Sequence, residues 1–280
     1  MPGIDLHAHT IYSDGTFTPA EAVAFAVERG LSVLSISDHD STEGLAEAEA
    51  AAELTPLDEV VPGVELSTVY EHGPVHLLCY WPDVEDEEFQ GELRRLREDR
   101  WTRGQRMVEK LQALGFPITF ERVSEIAEGK NIGRPHIAQA LVEAGVVPKL
   151  EDAFTDELIG TGGRAYVEKH ALDSLDALAL VKRARGVAVL AHPGLRWRGE
   201  LPVPDELIER MAEAGLDGLE ADHPDHDVAA RAKYRAMARG LGLVATGSSD
   251  CHGTRYDPVR MGSETTDPEE FARLKSRKGL

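Results

Sequence analysis

Short apolar runs recur along this chain, and nearly every one stops at or beside a histidine or an acid. Ile4 to Leu6 leads into His7 and His9, with Asp14 just beyond, and Leu31 to Ser37 leads into Asp38, His39 and Asp40. Val60 to Leu66 carries Glu65, Val75 to Tyr80 carries His76, and Val187 to Ala191 delivers His192. Gly218 to Ala221 precedes His223, and Leu243 to Gly247 precedes Asp250 and His252. Short, apolar runs bounded by turn residues are what parallel strands buried on both faces look like. Helices separate several of them: Thr18, Pro19 and Glu21 supply a cap, a first helical position and a capping-box acid for a helix ending near Gly30. Strand–helix alternation of this kind predicts a parallel sheet.

Ligand-type side chains at the strand ends favour a closed barrel, because only closure brings His7 of the first run beside Asp250 of the last. An open doubly wound sheet is the alternative and leaves those ends apart. Side chains alternate faces along a strand, so His7 and His9 point the same way and form a two-pronged metal clamp. A lone pair of histidines is often a surface or core feature. Here, though, His7, His9, Asp14, His39, Glu65, His76, His192, Asp250 and His252 all occupy comparable places. Imidazole and carboxylate without clustered thiolates suit Zn, Mn or Fe as divalent ions.

Charge narrows the partners. Asp and Glu outnumber Lys and Arg by 50 to 30, and a net charge of −20 repels long polyanions, so no long nucleic-acid surface is expected. A small phosphorylated substrate remains compatible, since cations and a few arginines reverse the sign locally. Cys79 and Cys251 are far apart in apolar surroundings, which implies no disulfide framework and fits a reducing cytoplasm. No run of about 18 apolar residues occurs, and the first residues do not join a basic segment to an apolar one. Neither membrane insertion nor export is therefore expected. The sequence does not indicate an oligomeric state.

The alternation breaks from Asp86 to His170, where Phe89, Leu93, Leu96, Val108, Leu111 and Leu114 recur at helical spacing. The expected organisation is a barrel built from 1–85 and 171–280, with a helical insertion at 86–170. Thirteen acids and no Lys or Arg lie between Glu43 and Glu88, whereas seven bases face four acids from Gly91 to Lys110. A solvated, ion-paired helix face accounts for most such runs. The sharper expectation is that part of this basic face overhangs the metal site and receives phosphate.

The stretches DLHAHTIYSDGTFTPAEAV, SISDHDSTEGLAEA, VPGVELS, the HPG after VAVLA, and GSSDCH resemble the PHP (polymerase and histidinol phosphatase) family of metal-dependent phosphoesterases. SDG, TPAE, DHDS, GRPH and EADHPDH look most like its small stand-alone branch, which acts on nucleoside phosphates or short RNA. The resemblance implies an α/β fold, a distorted seven-stranded (β/α)7 barrel with a trinuclear centre. One ion would lie between His7, His9, Glu65 and Asp250, a second between Glu65, His76 and His192, and a third between Asp14, His39 and His252. The implied reaction is hydrolysis of phosphate esters of small nucleotides (a nucleoside monophosphate, a 3′,5′-bisphosphate or short RNA ends) by a metal-bridging hydroxide. Two or three divalent ions, Mn, Fe or Zn, would serve as cofactors.

Other residues are expected to assist. Glu65 can bridge two ions because a carboxylate has two oxygens. Arg134, in NIGRPHIA ahead of Pro135, and Arg196, close behind His192, are expected to bind phosphate through their planar guanidinium forks. His223 either protonates the leaving oxygen or is a structural histidine. His136 has a weaker claim, and His72, His170 and His226 read as structural or exposed. Asp5, Asp38 and Asp40 are expected to orient imidazoles, and alternation turns Cys251 away from the site. Competing functions are histidinol-phosphate phosphatase, amide or lactone hydrolysis, and a non-catalytic metal-binding regulatory module.

Overall fold

A computed structural model describes residues 3–71, 73–128, 131–168, 171–195 and 202–280. Its strands are β1 (Gly3–Ala8), β2 (Leu31–Ile36), β3 (Glu59–Tyr70), β4 (Gly73–Tyr80), β5 (Leu172–Asp173), β6 (Val187–Leu190), β7 (Gly218–Asp222) and β8 (Val244–Gly247). Hydrogen bonding runs β1-β2-β3-β4-β6-β7-β8, and the two-residue β5 pairs with β3. Each strand predicted from the sequence is present, but the sheet is not wholly parallel. β4 is antiparallel to both β3 and β6, whereas the remaining neighbours on that path are parallel. The reason is local: β3 and β4 are joined by a tight reversal after Tyr70, and a hairpin is necessarily antiparallel. The reversal also explains why His76 lies early in its strand. Running backwards, β4 brings its first half to the mouth where its neighbours end.

Closure between the last and first strands rests on one bridge, Ala8 with Cys251. His9 N–H donates to the Cys251 carbonyl at 2.8 Å, and Cys251 N–H donates to that of His7 at 3.2 Å. The barrel is thus nearly closed, with ends meeting at the residues that flank the predicted ligands. Ile4, Leu6, Val33, Val61, Leu78, Tyr80, Val189 and Val244 share one buried cluster. Strands from both ends of the sheet order can meet in this way only if the sheet curls on itself. Cys251 packs with Ala8, Leu31 and Met261, turned from the site as expected, and both cysteines are free thiols.

Helices α1 (Pro19–Glu28) and α2 (Leu45–Ala52) cover the first strands. The predicted capping box is formed: Glu21 N–H donates to Thr18 Oγ1 at 3.1 Å, and Thr18 N–H donates to Glu21 Oε2 at 2.8 Å. Gly30, at φ +74°, ends the turn in a left-handed conformation. After β4 comes a single long helix, α3 (Glu87–Ala113), then α4 (Phe120–Ile126) and α5 (Arg134–Glu143). Phe89, Leu93 and Leu96 of α3 pack on Leu66 and Leu77 of the barrel. Met107, Val108 and Leu111 instead join Ile118, Val123, Ile137, Leu141 and Ile159. One amphipathic stripe therefore fastens a second small core to the barrel, each buried Leu or Phe contributing about 1.5–3 kcal/mol. Helices α6 (Ser174–Arg183), α7 (Asp205–Glu213), α8 (Val228–Leu241) and α9 (Pro268–Lys278) complete the outer layer. Among the described residues no helix is long and apolar enough to cross a membrane.

Candidate metal centre

All nine predicted ligand-type residues converge at one mouth of the barrel. His7 Nε2 and His9 Nε2 are 3.1 Å apart. Each lies near Glu65 Oε2, at 3.4 and 3.2 Å, and near Asp250 Oδ1, at 3.4 and 3.1 Å. The other Glu65 oxygen, Oε1, is 2.9 Å from His76 Nδ1 and 3.1 Å from His192 Nε2. Asp14 Oδ1 is 3.2 Å from His252 Nε2 and 3.9 Å from His39 Nε2, and His39 Nδ1 faces Glu65 Oε2 at 2.9 Å. Glu65 is thus the hub, with imidazoles gathered around both oxygens.

These separations fit donors that share a cation. Two donors each about 2.1 Å from one ion, at angles between a right angle and a tetrahedral one, lie roughly 3.0–3.4 Å apart. Glu65 Oε2, His39 Nδ1 and Asp14 Oδ1 are buried without a well-formed hydrogen bond, although nitrogen and oxygen lie within contact distance. Buried acceptors left so cost about 1–3 kcal/mol each, which a bound cation removes. The electrostatics point the same way. Burial alone would raise the Glu65 carboxyl, yet His39, His76 and His7 hold it well below the usual carboxylate range. Burial opposes charge on His9, but Asp250 and Glu65 pull its pKa up to about 10, so the cluster demands positive charge. Donor atoms of His9, Asp14, His39 and His252, of His7, His9 and Glu65, and of His39, Glu65 and His76 lie close enough within each group to hold an ion.

The backbone is bent to present these groups. Asp40, His192 and Asp250 have positive φ (+53°, +25° and +47°), a conformation non-glycine residues seldom adopt and one that costs of order 1–3 kcal/mol each. Asp40 is held by Ser67 N–H and Arg100 Nε on its carboxylate, both at 2.7 Å, and by Arg97 on its carbonyl. Asn131 donates to the His39 carbonyl. Gly104 of α3 allows that approach, because a β-carbon there would come within 2.8 Å of Ile132.

The carboxylate behind the His7 imidazole is one that the sequence did not single out. Glu220 on β7 is buried, with Oε1 3.1 Å from His7 Nδ1 and Oε2 accepting His192 N–H at 2.7 Å. A buried acid inside the strand GLEAD was the available signal. Of the three acids expected in that role, Asp38 acts on a ring indirectly: Ser13 Oγ donates to it at 2.5 Å and lies 3.3 Å from His9 Nδ1. Asp5 instead ties Ser249 and Gly262 to β1, and Asp40 braces its own loop.

A cavity of about 370 Å³ opens over the cluster, lined by Asp14, His39, Glu65, His76, His192, Asp250 and His252 and by Arg100, Arg103, Arg134 and Arg255. Arg100 and Arg103 come from the basic stretch of α3. Arg255 donates to the Asp14 carbonyl, a position with no sequence signal. Arg134 stands at the start of α5, as expected from Pro135. Arg196, His72 and His170 lie outside the described residues.

His223 does not reach the cavity. Its ring is buried, Nδ1 accepts Asp225 N–H at 3.1 Å, and Nε2 faces Asp250 Oδ2 at 3.4 Å. A proton on Nε2 is therefore directed at Asp250 rather than at a leaving oxygen. His136 accepts Gly133 N–H at 3.0 Å, and His226 uses both ring nitrogens, on the Ala221 carbonyl and on Gly194 N–H.

A barrel whose mouth gathers imidazoles and carboxylates beneath arginines defines a metal-dependent phosphoesterase. The PHP domain family model matches residues 5–118. The chain is 34% identical over 254 residues to a 3′,5′-nucleoside bisphosphate phosphatase of Chromobacterium violaceum, covering 90% of this chain and 88% of that protein. It is 32% identical over 249 residues to the 5′-3′ exoribonuclease Rnm of Escherichia coli, covering 89% and 84%. A crystal structure assigned as a metal-dependent phosphoesterase, from Bifidobacterium adolescentis, superposes with a TM-score of 0.92 at 36% identity, covering 99% of this chain and 96% of that one. The chain belongs to the PHP family and is a hydrolase of phosphoric esters.

Proposed function

We propose that the cluster holds two or three divalent ions, Mn, Fe or Zn, and that the cavity above it hydrolyses a phosphate ester of a small nucleotide or a short RNA end. In this reading His7, His9, Glu65 and Asp250 take one ion, Glu65, His76 and His192 a second, and Asp14, His39 and His252 a third. The carrying observation is Glu65, a fully buried carboxylate whose two oxygens face separate sets of imidazoles. When bound, divalent ions make water nucleophilic at neutral pH and neutralise phosphoryl oxygens.

The chain's own groups do the rest. Glu220 fixes the His7 ring and the His192 backbone, while His223 positions Asp250. Arg255, beside Asp14, and Arg134, at the start of α5, neutralise and orient the phosphate. Helices α3, α4 and α5, within the stretch 86–170, form an insertion that roofs the cavity, placing Arg100, Arg103 and Arg134 over the barrel's mouth. A cavity of about 370 Å³ accommodates a nucleotide and not a duplex. The similarity to a bisphosphate phosphatase and an exoribonuclease supports this substrate class.

The test is phosphate release by the metal-loaded protein from adenosine monophosphates, adenosine 3′,5′-bisphosphate, a short 5′-phosphorylated RNA and histidinol phosphate. Turnover of the nucleotides above that of histidinol phosphate is expected. Preference for histidinol phosphate, or metal binding with no turnover of any of them, would contradict the reading.

A further inference from the structure

The turn that leaves β7 holds two ligand residues that come from the strands on either side of it. Among the nine ligand residues, His192 after β6 and Asp250 after β8 are the two with positive φ, at +25° and +47°. Such backbone persists only where its surroundings over-determine it. His223 and His226, at the two ends of the turn, supply one restraint each. His223 Nδ1 accepts the Asp225 N–H, so its proton sits on Nε2, which faces Asp250 Oδ2 at 3.4 Å. His226 is the opposite tautomer: Nδ1 donates to the Ala221 carbonyl at 2.9 Å, and Nε2 accepts the Gly194 N–H at 3.0 Å. Gly194 lies two residues after His192. A β-carbon there would come within 2.8 Å of Tyr234 and 2.9 Å of His226, so the loop carrying His192 rests directly on that ring.

The turn itself is clamped from α8. Arg231 Nε donates to the His226 carbonyl and Nη2 to the His223 carbonyl, both at 2.9 Å, while Nη1 pairs with Glu264 at 2.5 Å. All three guanidinium nitrogens are engaged, and a planar fork matched to two carbonyls is a fit that the point charge of lysine lacks. Among the described residues Arg231 is not one that lines the cavity, so its fork acts on the turn and not on substrate. We propose that Arg231 is a positioning residue for the metal centre, setting His192 and Asp250 together through the 223–226 turn. One guanidinium thereby registers ligands that β6 and β8 deliver separately. The proposal rests on the metal-bound reading above, in which these two residues serve different ions.

The test is manganese titration of the metal-stripped full chain, with thermal unfolding of the metal-free and metal-loaded forms, on wild type, Arg231→Gln, Arg231→Lys and His226→Asn. Asparagine keeps a donor for the Ala221 carbonyl but has no atom where Nε2 accepts Gly194. As a control, Lys233→Gln removes an exposed ion pair of the same helix, to Asp205 at 2.6 Å. Arg231→Gln should weaken two binding steps by about tenfold each, the low end for a group behind a metal ligand. His226→Asn should weaken one step by a similar factor, Arg231→Lys should fall between Arg231→Gln and wild type, and Lys233→Gln should bind as wild type does. The rise in Tm on metal loading should shrink in Arg231→Gln, because metal bound only to the folded chain stabilises it according to its affinity. A purely structural role would lower Tm equally with and without metal. Wild-type manganese affinity in the folded Arg231 variants overturns the proposal, as does an equal loss in Lys233→Gln. Should Arg231→Gln fail to fold, Arg231→Lys decides on the same titration. A wild type that takes up no manganese overturns the metal reading, and the proposal with it.

Discussion

Glu220 Oε1 lies 3.1 Å from His7 Nδ1, which leaves the opposite ring nitrogen of His7 facing Glu65 and Asp250. A carboxylate placed behind an imidazole fixes the tautomer and raises the basicity of the ligating nitrogen. Glu220→Gln should therefore weaken metal binding about 10- to 100-fold while the fold persists. Metal titration alongside circular dichroism checks this, and unchanged affinity would remove Glu220 from the site.

Glu65 supplies both of its oxygens, so no neighbouring residue can replace it. Glu65→Ala should be among the most damaging single changes, lowering bound metal by at least one ion per chain and abolishing measurable phosphate release. Retained turnover with full metal content would contradict the hub assignment.

Much of this was legible in the sequence for a simple reason. Ligands at the ends of short apolar runs are local signals, so His7, His9, His39, His192, Asp250 and His252 could be placed before any fold was known. What tertiary pairing decides was not legible. The reversal of β4 depends on a hairpin, and Arg255 reaches Asp14 only because the barrel nearly closes. Glu220 looks like any strand acid until its partners, distant in sequence, arrive. His223 shows the converse: its motif suggests chemistry, while its hydrogen bonds give it a supporting place.

Arg134 lines the cavity without belonging to the ligand cluster, so Arg134→Ala should leave metal content intact. Its kcat/KM should drop about tenfold or more, as expected for a lost charged contact. Steady-state kinetics with elemental analysis of the same sample tests it, and an unaltered kcat/KM would exclude Arg134 from substrate contact.

His136 offers a prediction in pH. Burial, and next the Arg255 charge, push its pKa down to about 4, below the ordinary histidine value of 6.5. Between those values the unfolded chain binds the extra proton, so stability falls as pH drops from 6.5 toward 4 and is unaffected above that window. The loss should reach on the order of 3 kcal/mol. Denaturant unfolding of metal-free wild type and His136→Gln should show the shallower acid slope in the variant, and parallel slopes would contradict the assignment.

The most direct test of the central claim is elemental analysis of metal per chain after reconstitution with manganese, run in parallel on wild type and Glu65→Ala. Two or three ions in the wild type, with loss of at least one in the variant, is the predicted result. A wild-type protein that releases phosphate from nucleotides with no stoichiometric metal bound would contradict it.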